Sequence, residues 1–221
     1  MPGSPRTESK IRALILDFGG VFTRSEVADA QLYGYDALLN LPVGTLRSKL
    51  HSGETWELAS TGRISAGVYW ERAGLPYEAL LPAEFGVFRA GVFRAEPVDE
   101  TMVRFARELR RTYRLALCSN ALLDLTEILG ERPDIHDLFE VVIISALVGL
   151  RKPNPAILEL TAARMSLPVD ACLLVDDKPR NTAVAEAIGM QAITFRSSEQ
   201  LAAELAARGL LPDGDGAPGP G

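Results

Sequence analysis

The sequence has 221 residues, of which 47% are hydrophobic and 24% charged, and its formal net charge is −6. This length and composition are typical of a globular protein with one large domain, or with one domain that carries a smaller insert. The acidic balance and the lack of a basic patch argue against a nucleic-acid partner, although a local cationic site could still bind a small phosphorylated molecule.

The two ends of the chain are predicted to be disordered. Residues 1–9 are polar and include two prolines, and residues 212–221 are mostly Gly and Pro, a composition that cannot bury a core. The N-terminus lacks the apolar segment of a signal peptide, and no run of about 18 apolar residues is present. We therefore expect a cytoplasmic protein with no membrane partner. Cys118 and Cys172 lie in apolar stretches and are expected to be free, buried thiols.

Five short apolar runs predict the strands of a parallel sheet. In chain order they are residues 13–18, 113–119, 141–145, 171–177 and 191–195. Most of them lack polar alternation, as strands that are covered on both faces do. Amphipathic segments between the runs, such as residues 98–109, predict helices. This alternation predicts an α/β fold with a Rossmann-like, doubly wound parallel sheet.

One long segment, residues 24–96, interrupts the alternation. It contains several helical patterns and no convincing strand. We therefore predict a core domain made of residues 10–23 and 97–211, with a small helical cap domain inserted as residues 24–96. The insert leaves the sheet after the first strand, at the edge where open α/β sheets bind ligands. A cap in this position would close a site and exclude water from it.

Several polar and aromatic residues of the chain have a structural explanation. Trp56, Tyr69 and Trp70 lie in helical patterns of the insert and are expected to fill its interior. His51 and His136 are expected at the surface, since nothing in the sequence pairs either with a nucleophile.

Polar side chains follow the ends of the first four predicted strands. In chain order these residues are Asp17, Ser119, Asn120, Lys152, Asp176 and Asp177. Because the carboxyl ends of parallel strands meet at one edge of a sheet, we expect these side chains to converge. Three carboxylates at one edge would be costly without a ligand, which makes the edge a candidate functional site.

The residue types at this edge suit phosphate chemistry. Carboxylates are the ligands that Mg²⁺ prefers, a serine hydroxyl can bind phosphate oxygens, and a carboxylate nucleophile can form a covalent phosphoester. Each motif alone has a plainer explanation as a turn, a loop or a helix cap. Ser119 and Asn120, for example, could cap a helix through Leu122 and Leu123.

Four motifs together resemble those of the haloacid dehalogenase-like (HAD) hydrolase superfamily. They are "LILDFGGVF", "LCSNA", "GLRKPNPAI" and "LLVDDKPRNTAVAEAIGM", and the resemblance extends from residue 12 to about residue 195. The phrase "GRISAGVYW" in the insert is similar to a cap signature of the phosphatase-like branch that includes the N-terminal domain of soluble epoxide hydrolase.

The resemblance implies a catalytic and metal-binding role for five residues. Asp17 would be the nucleophile and a metal ligand, and the backbone carbonyl of Gly19 would be a second ligand. Lys152 would orient Asp17 and balance its charge. Asp176 and Asp177 would complete a Mg²⁺ site, with the question of which one binds directly left open.

The resemblance also implies how the substrate is held. Ser119 and the N–H of Asn120, together with Gly20, would bind the phosphoryl group. The implied function is the Mg²⁺-dependent hydrolysis of a small phosphorylated metabolite through an aspartyl-phosphate on Asp17. The identity of the metabolite and the oligomeric state cannot be deduced from the sequence.

One position departs from the pattern of the family. Family phosphatases usually have a second Asp where this chain has Gly19, and that Asp acts as general acid and base. The proton could instead come from water, from the substrate, or from a cap carboxylate such as Glu26, Asp29 or Glu54.

The same departure leaves two alternatives open. The chain could be a non-catalytic binding protein with the HAD fold, because fold alone does not establish activity. It could also be a metal-independent 2-haloacid dehalogenase. The adjacent Asp176 and Asp177 argue against this second alternative, because without a cation they would repel a carboxylate substrate.

Overall fold

The computed structural model describes residues 11–73 and 97–211, which form a five-stranded parallel sheet flanked by helices. The spatial order of the strands is β3-β2-β1-β4-β5. Their bounds are β1 Ala13–Leu16, β2 Arg114–Ser119, β3 Val141–Ile144, β4 Cys172–Asp176 and β5 Gln191–Thr194. The predicted α/β fold is therefore confirmed. The segments predicted to be disordered, and residues 74–96 of the predicted insert, lie outside the described residues.

The helices fall into two groups along the chain. Between β1 and β2 lie α1 Ser25–Leu38, α2 Thr45–Leu50, α3 Gly53–Ser60, α4 Ala66–Ala73 and α5 Glu100–Leu109. Later in the chain follow α6 Asp124–Glu131, α7 Pro133–His136, α8 Ser145–Val148, α9 Pro155–Arg164, α10 Pro179–Ala187 and α11 Ser198–Ala207, with a 3₁₀ turn at Val169–Ala171. None of the helices within the described residues is long and apolar enough to span a bilayer.

Strand β1 lies in the middle of the sheet and is buried on both faces. Leu14 and Leu16 pack into the apolar cluster on one face, and Ala13 and Ile15 pack into the cluster on the other. This alternation follows from the two-residue period of a strand. It explains why the sequence of β1 is an uninterrupted apolar run.

Helices α1–α4, which we call the insert helices, have an apolar cluster of their own. Trp56, Tyr69 and Trp70 are buried in it, as expected for the interior of a helical cap. The hydroxyl of Tyr69 donates to the carbonyl oxygen of Leu50 at 2.5 Å, which satisfies its polar end. Leu122, from the loop after β2, packs into the same cluster and joins the insert helices to the sheet. The division of the chain into a core and a cap domain remains a prediction.

Candidate active site

The register of the sheet places the polar ends of three strands side by side. Leu16 of β1 is paired with Leu117 of β2 and with Val175 of β4. Asp17, one residue further on, is therefore level with Cys118 and Asp176. Asp17 keeps the ladder intact by donating its own N–H to the carbonyl oxygen of Val175 at 3.0 Å.

Lys152 lies at the centre of this edge and is completely buried. Its Nζ donates to the carbonyl oxygen of Cys118 at 2.7 Å and to Asp176 Oδ2 at 2.6 Å, and it lies 3.0 Å from Asp17 Oδ2. Burial alone would lower the pKa of Lys152, but Asp17 and Asp176 raise the pKa above its ordinary value. Lys152 is therefore a charged group that connects three strands.

The carboxylate of Asp17 is held in place by both of its oxygens. Oδ1 accepts a hydrogen bond from the N–H of Phe18 at 2.7 Å, and Oδ2 faces Lys152. Burial raises the pKa of Asp17 to about 7, even though the charge of Lys152 opposes this increase. A further cation beside Asp17 would favour its ionised, nucleophilic form.

Asp176 and Asp177 differ in how their oxygens are used. Asp176 Oδ2 accepts from Lys152, and Asp176 Oδ1 accepts from the N–H of Lys178 at 2.9 Å and from Asn181 Nδ2 at 2.8 Å. Burial would raise the pKa of Asp176, but Lys152 and these hydrogen bonds bring it below the ordinary value. Both oxygens of Asp176 are therefore already bonded within the protein.

Asp177 has the oxygen that a metal site would require. Its Oδ2 lies 2.5 Å from Lys178 Nζ, whereas its Oδ1 is buried and has no hydrogen-bond donor. Ligand oxygens of Asp17, Asp176 and Asp177 lie within 4.8 Å of one another. A buried carboxylate oxygen without a partner is unfavourable, and a hard divalent cation would satisfy it. The donor set therefore fits Mg²⁺.

Gly20 makes room for Asp177. A Cβ atom at residue 20 would lie 2.5 Å from Asp177 Oδ2, and the φ of +74° is one that few other residues adopt. The N–H of Gly20 donates to Thr23 Oγ1 at 3.1 Å, inside the loop. The contact of Gly20 with phosphate stays a prediction, and it would require this N–H to exchange Thr23 Oγ1 for a phosphate oxygen.

Ser119 and Asn120 lie at the end of β2, as predicted. Ser119 is buried and lines the cavity described below. The amide of Asn120 holds the backbone of Lys152 from both sides: Nδ2 donates to the Lys152 carbonyl at 2.7 Å, and Oδ1 accepts from the Lys152 N–H at 2.8 Å. The alternative that these residues cap the following helix is wrong, since α6 begins at Asp124 with Leu123 at its N-cap and no side-chain cap.

The strand ends open into a cavity of about 340 Å³. Asp17, Ser119 and Asp177 line it, and Arg47, His51 and Trp56 line it from the insert helices and the turn that joins them. The cavity therefore lies between the sheet edge and the insert helices, where a cap would be expected to enclose a ligand.

His51, which was expected at the surface, is partly buried in the wall of the cavity. Its ring packs edge-on to Trp56 with centroids 5.4 Å apart, and its Nδ1 donates to the carbonyl oxygen of Arg47 at 3.2 Å. Burial, with a smaller effect of the Arg47 charge, lowers the pKa of His51 to about 4. The sequence offered no signal for this position. His136 is exposed, as expected.

The cap carboxylates suggested as proton donors do not line the cavity. Asp29 Oδ1 lies 2.9 Å from Arg47 Nε, and Glu54 lines a separate groove. Glu26 is exposed and is not part of the wall. The carboxylates that do line the cavity beyond the strand ends are Asp124 and Glu131, at the two ends of α6.

Asn181 is a site residue that sequence reasoning missed. It is 3% exposed, lines the cavity, and holds Asp176 through Nδ2, while its buried Oδ1 has no hydrogen-bond donor. Its position five residues after Asp176, in the first turn of α10, was the available signal.

A parallel α/β sheet with a carboxylate, a buried lysine and an acidic pair at its strand ends is the architecture of a group of hydrolases. The chain belongs to the haloacid dehalogenase-like hydrolase family, whose model matches residues 11–189.

The chain is similar to two curated fungal proteins. It is 27% identical over 200 residues to the drimenol cyclase drtB of Aspergillus calidoustus, covering 88% of this chain and 36% of that protein. It is 28% identical over 204 residues to the sesquiterpene phosphatase astK of Aspergillus oryzae, covering 88% and 94%. The chain thus spans about a third of the first relative and nearly all of the second.

The fold is also found in a solved HAD family enzyme of Bacteroides thetaiotaomicron, which was crystallised with magnesium and inorganic phosphate. The TM-score is 0.65 at 17% identity, over 84% of this chain and 94% of that one. At this level of identity the likeness shows the fold alone.

Proposed function

We propose that the chain is a Mg²⁺-dependent phosphatase that hydrolyses a small phosphorylated metabolite. The observation that carries the proposal is the cluster of Asp17, Asp176 and Asp177, in which Lys152 pairs with the first two and Asp177 has a buried Oδ1 without a partner. Such a set of groups provides a nucleophile, a fixed positive charge and a site for a divalent cation.

The residues that would hold Mg²⁺ are Asp17, the carbonyl of Gly19 and Asp177. Because both oxygens of Asp176 accept hydrogen bonds within the protein, Asp177 is the better direct ligand, and Asp176 positions Lys152. When bound, Mg²⁺ would reduce the repulsion between the anionic substrate and the carboxylates and polarise the phosphoryl group.

The chain's own residues would carry out two displacement steps. An oxygen of Asp17 attacks phosphorus, the bond from phosphorus to the ester oxygen breaks, and the alcohol leaves with the bonding electrons and takes a proton from water. Water then hydrolyses the aspartyl-phosphate, which releases phosphate and regenerates Asp17. Throughout, Lys152 stays charged and holds the Asp17 carboxylate in position.

The missing acid at Gly19 has a kinetic consequence. A positioned general acid contributes about 10² to 10⁴ in rate, chiefly for alcohols that are poor leaving groups. We therefore propose that this chain hydrolyses alkyl esters more slowly than a family phosphatase with Asp at this position does, and that the difference is smaller for activated esters.

The relatives support the proposal by their names. The chain matches nearly the full length of a protein named a sesquiterpene phosphatase. The Bacteroides enzyme with the same fold was crystallised with the metal and the product that the proposal requires. The dehalogenase alternative would place a carboxylate substrate against Asp17, Asp176 and Asp177, whose negative charge would oppose its binding.

The test measures phosphate release from 4-nitrophenyl phosphate, with Mg²⁺ and with EDTA. We expect release that depends on Mg²⁺ and falls at least 10³-fold in Asp17→Asn. Asp137→Asn, at an exposed Asp that is not among the cavity-lining residues, is the matched control and should keep wild-type activity. Halide release from 2-chloropropionate that is insensitive to EDTA would instead establish the dehalogenase alternative. Metabolite binding without any turnover would establish the non-catalytic one.

A further inference from the structure

The cavity lies between the two apolar clusters that meet at the strand ends. The cluster on one face of the sheet and the cluster of the insert helices each contribute side chains to its wall. These apolar lining residues are Phe18, Trp56, Val98, Leu122, Leu125 and Ile128. A ligand that reaches Asp17 therefore meets apolar side chains from both clusters, together with polar residues of the lining.

Helix α6 shows how this wall is arranged. Leu125 and Ile128 are three residues apart and share the face that is turned to the cavity, while Asp124 and Glu131 line it at the two ends of the helix. Glu131 is exposed, whereas Leu125 is buried and Ile128 is partly buried. On this helix the two carboxylates lie at the ends, and the apolar side chains that line the cavity lie between them.

Three polar lining residues already have partners within the protein, whereas Arg151 Nε and Asn181 Oδ1 are buried without one. Arg47 is paired with Asp29, His51 Nδ1 donates to the Arg47 carbonyl, and Thr23 Oγ1 accepts from Gly20. A substrate rich in hydroxyl groups would have to give up its hydration without gaining these partners, which is unfavourable. A hydrocarbon would meet no such obstacle and would gain from burial.

We infer that the preferred substrate is the monophosphate of a largely hydrocarbon alcohol, whose apolar body lies between α6 and Trp56. This inference rests on the proposed phosphatase function. The cavity of about 340 Å³ holds roughly ten to twelve non-hydrogen atoms at about 30 Å³ each. The phosphorus and four oxygens of the phosphate ester take five of these atoms, so the space suits an alcohol of about five to seven carbons.

The test is a series of straight-chain alkyl monophosphates, from ethyl to decyl, assayed with Mg²⁺. Each buried methylene is expected to raise kcat/KM about fourfold, until the chain reaches about five to seven carbons and the increase stops. Glycerol 3-phosphate, ribose 5-phosphate and fructose 1,6-bisphosphate are compared in the same assay. The two sugar phosphates should fall at least 100-fold below hexyl phosphate.

Two matched variants locate the effect. Ile128→Asn places a polar group of similar size on the wall, and Leu123→Asn makes the same kind of change at a half-exposed residue outside the cavity lining. The ratio of kcat/KM for hexyl and ethyl phosphate should fall at least tenfold in the first variant and stay constant in the second. Ile128→Ala, which adds no polar group, should give a smaller fall. Urea unfolding confirms that each variant is folded.

The failures of the two proposals can be told apart. Mg²⁺-dependent release from 4-nitrophenyl phosphate with a flat alkyl series would overturn only the inference about the substrate. A preference for the bisphosphate would also overturn it, and would indicate that Arg151 and Arg180, which line the cavity, bind a second anion. No release from any phosphate ester would overturn both proposals.

Discussion

At the scale of single residues, the site depends on one close approach of backbone to side chain. Gly20 lies where Asp177 would otherwise meet a Cβ atom, so the loop after β1 and the loop after β4 can share one small volume. The sequence showed two glycines after Asp17 but not which acid they would face, because that acid is 157 positions away along the chain.

Replacing Gly20 by Ala tests this contact. Gly20→Ala should displace Asp177 and lower Mg²⁺-dependent activity at least tenfold, and the positive φ should cost about 1–2 kcal/mol in the free energy of unfolding. Gly189→Ala is the matched control, since Gly189 has a φ of +83° and a Cβ atom added there would meet no other atom within 4 Å. We expect Gly189→Ala to be destabilised to a similar extent but to keep full activity, as measured by urea unfolding and phosphate release. Equal activities would contradict the proposed role of Gly20.

His51 should make the stability of the protein depend on pH. Its pKa is about 4 in the folded protein and 6.5 as a free side chain. Between these values the unfolded state binds a proton that the folded state does not, so the free energy of unfolding falls as the pH falls from 6.5 to 4. The full loss is at most about 3 kcal/mol.

The contribution of His51 is measured by urea unfolding of wild type and His51→Gln across this pH range. All other titrating groups are present in both proteins, so their contributions cancel in the difference between the two free energies of unfolding. The difference between the two proteins should change with pH in the stated direction, and His136→Gln, at an exposed histidine, should follow the wild type. A difference that is constant with pH would show that His51 is equally solvated in the folded and unfolded states.

At the scale of elements, Asp36 links two of the insert helices. This carboxylate is completely buried near the end of α1, and it accepts hydrogen bonds from the N–H groups of Gly44 at 2.7 Å and Leu46 at 2.9 Å. These donors lie at the start of α2, where backbone N–H groups have no partner within the helix. The bonds therefore fix how α2 follows α1.

Asp36→Ala should leave these donors unsatisfied and lower the free energy of unfolding by about 2–4 kcal/mol. Asp36→Asn retains one acceptor oxygen and should lose less, while Asp137→Ala, at an exposed residue, should stay within about 0.5 kcal/mol of wild type. Chemical denaturation measures all three. Hydrogen exchange should become faster in α2 of Asp36→Ala, and unchanged exchange there would contradict this role.

The elements were predicted better than the contacts between them. The strands could be read from short apolar runs, since burial on both faces of a sheet determines their composition, and Asp17, Lys152 and Asp176 could be placed because strand ends share one edge. Asn120 was expected to offer only its backbone N–H. Its side chain instead holds the Lys152 backbone, a contact across 32 residues that no local pattern reveals. His51 was misplaced for the same reason.

At the scale of the whole molecule, a cation site formed by separate segments should couple metal binding to folding. Asp17 and Asp177 come from distant parts of the sequence and meet only in the folded chain. A ligand that binds only the folded state stabilises it by about 2.7 kcal/mol at 100 times its Kd, or roughly 5–10 °C in Tm for a chain of this size.

Thermal unfolding with Mg²⁺ and with EDTA tests this coupling. We expect Tm to rise with Mg²⁺ concentration in the wild type and to stay constant in Asp177→Asn, which lacks the anionic ligand. Asp170→Asn, in the 3₁₀ turn before β4, should respond as the wild type does. A wild-type Tm that is indifferent to Mg²⁺ would argue against a metal site at this edge.

The three contacts of Lys152 have a consequence for the design of inactive variants. Removing this ammonium group would leave the carboxylates of Asp17 and Asp176 buried without a counter-charge. The free energy of unfolding would fall by an amount on the order of 3–5 kcal/mol, whereas the total for a folded protein is typically about 5–15 kcal/mol. An inactive Lys152→Ala variant would therefore say little about catalysis, because unfolding of the protein would also abolish activity. Substrate-trapping studies are better built on Asp17→Asn, which keeps the shape of the side chain and leaves the lysine its remaining carboxylate.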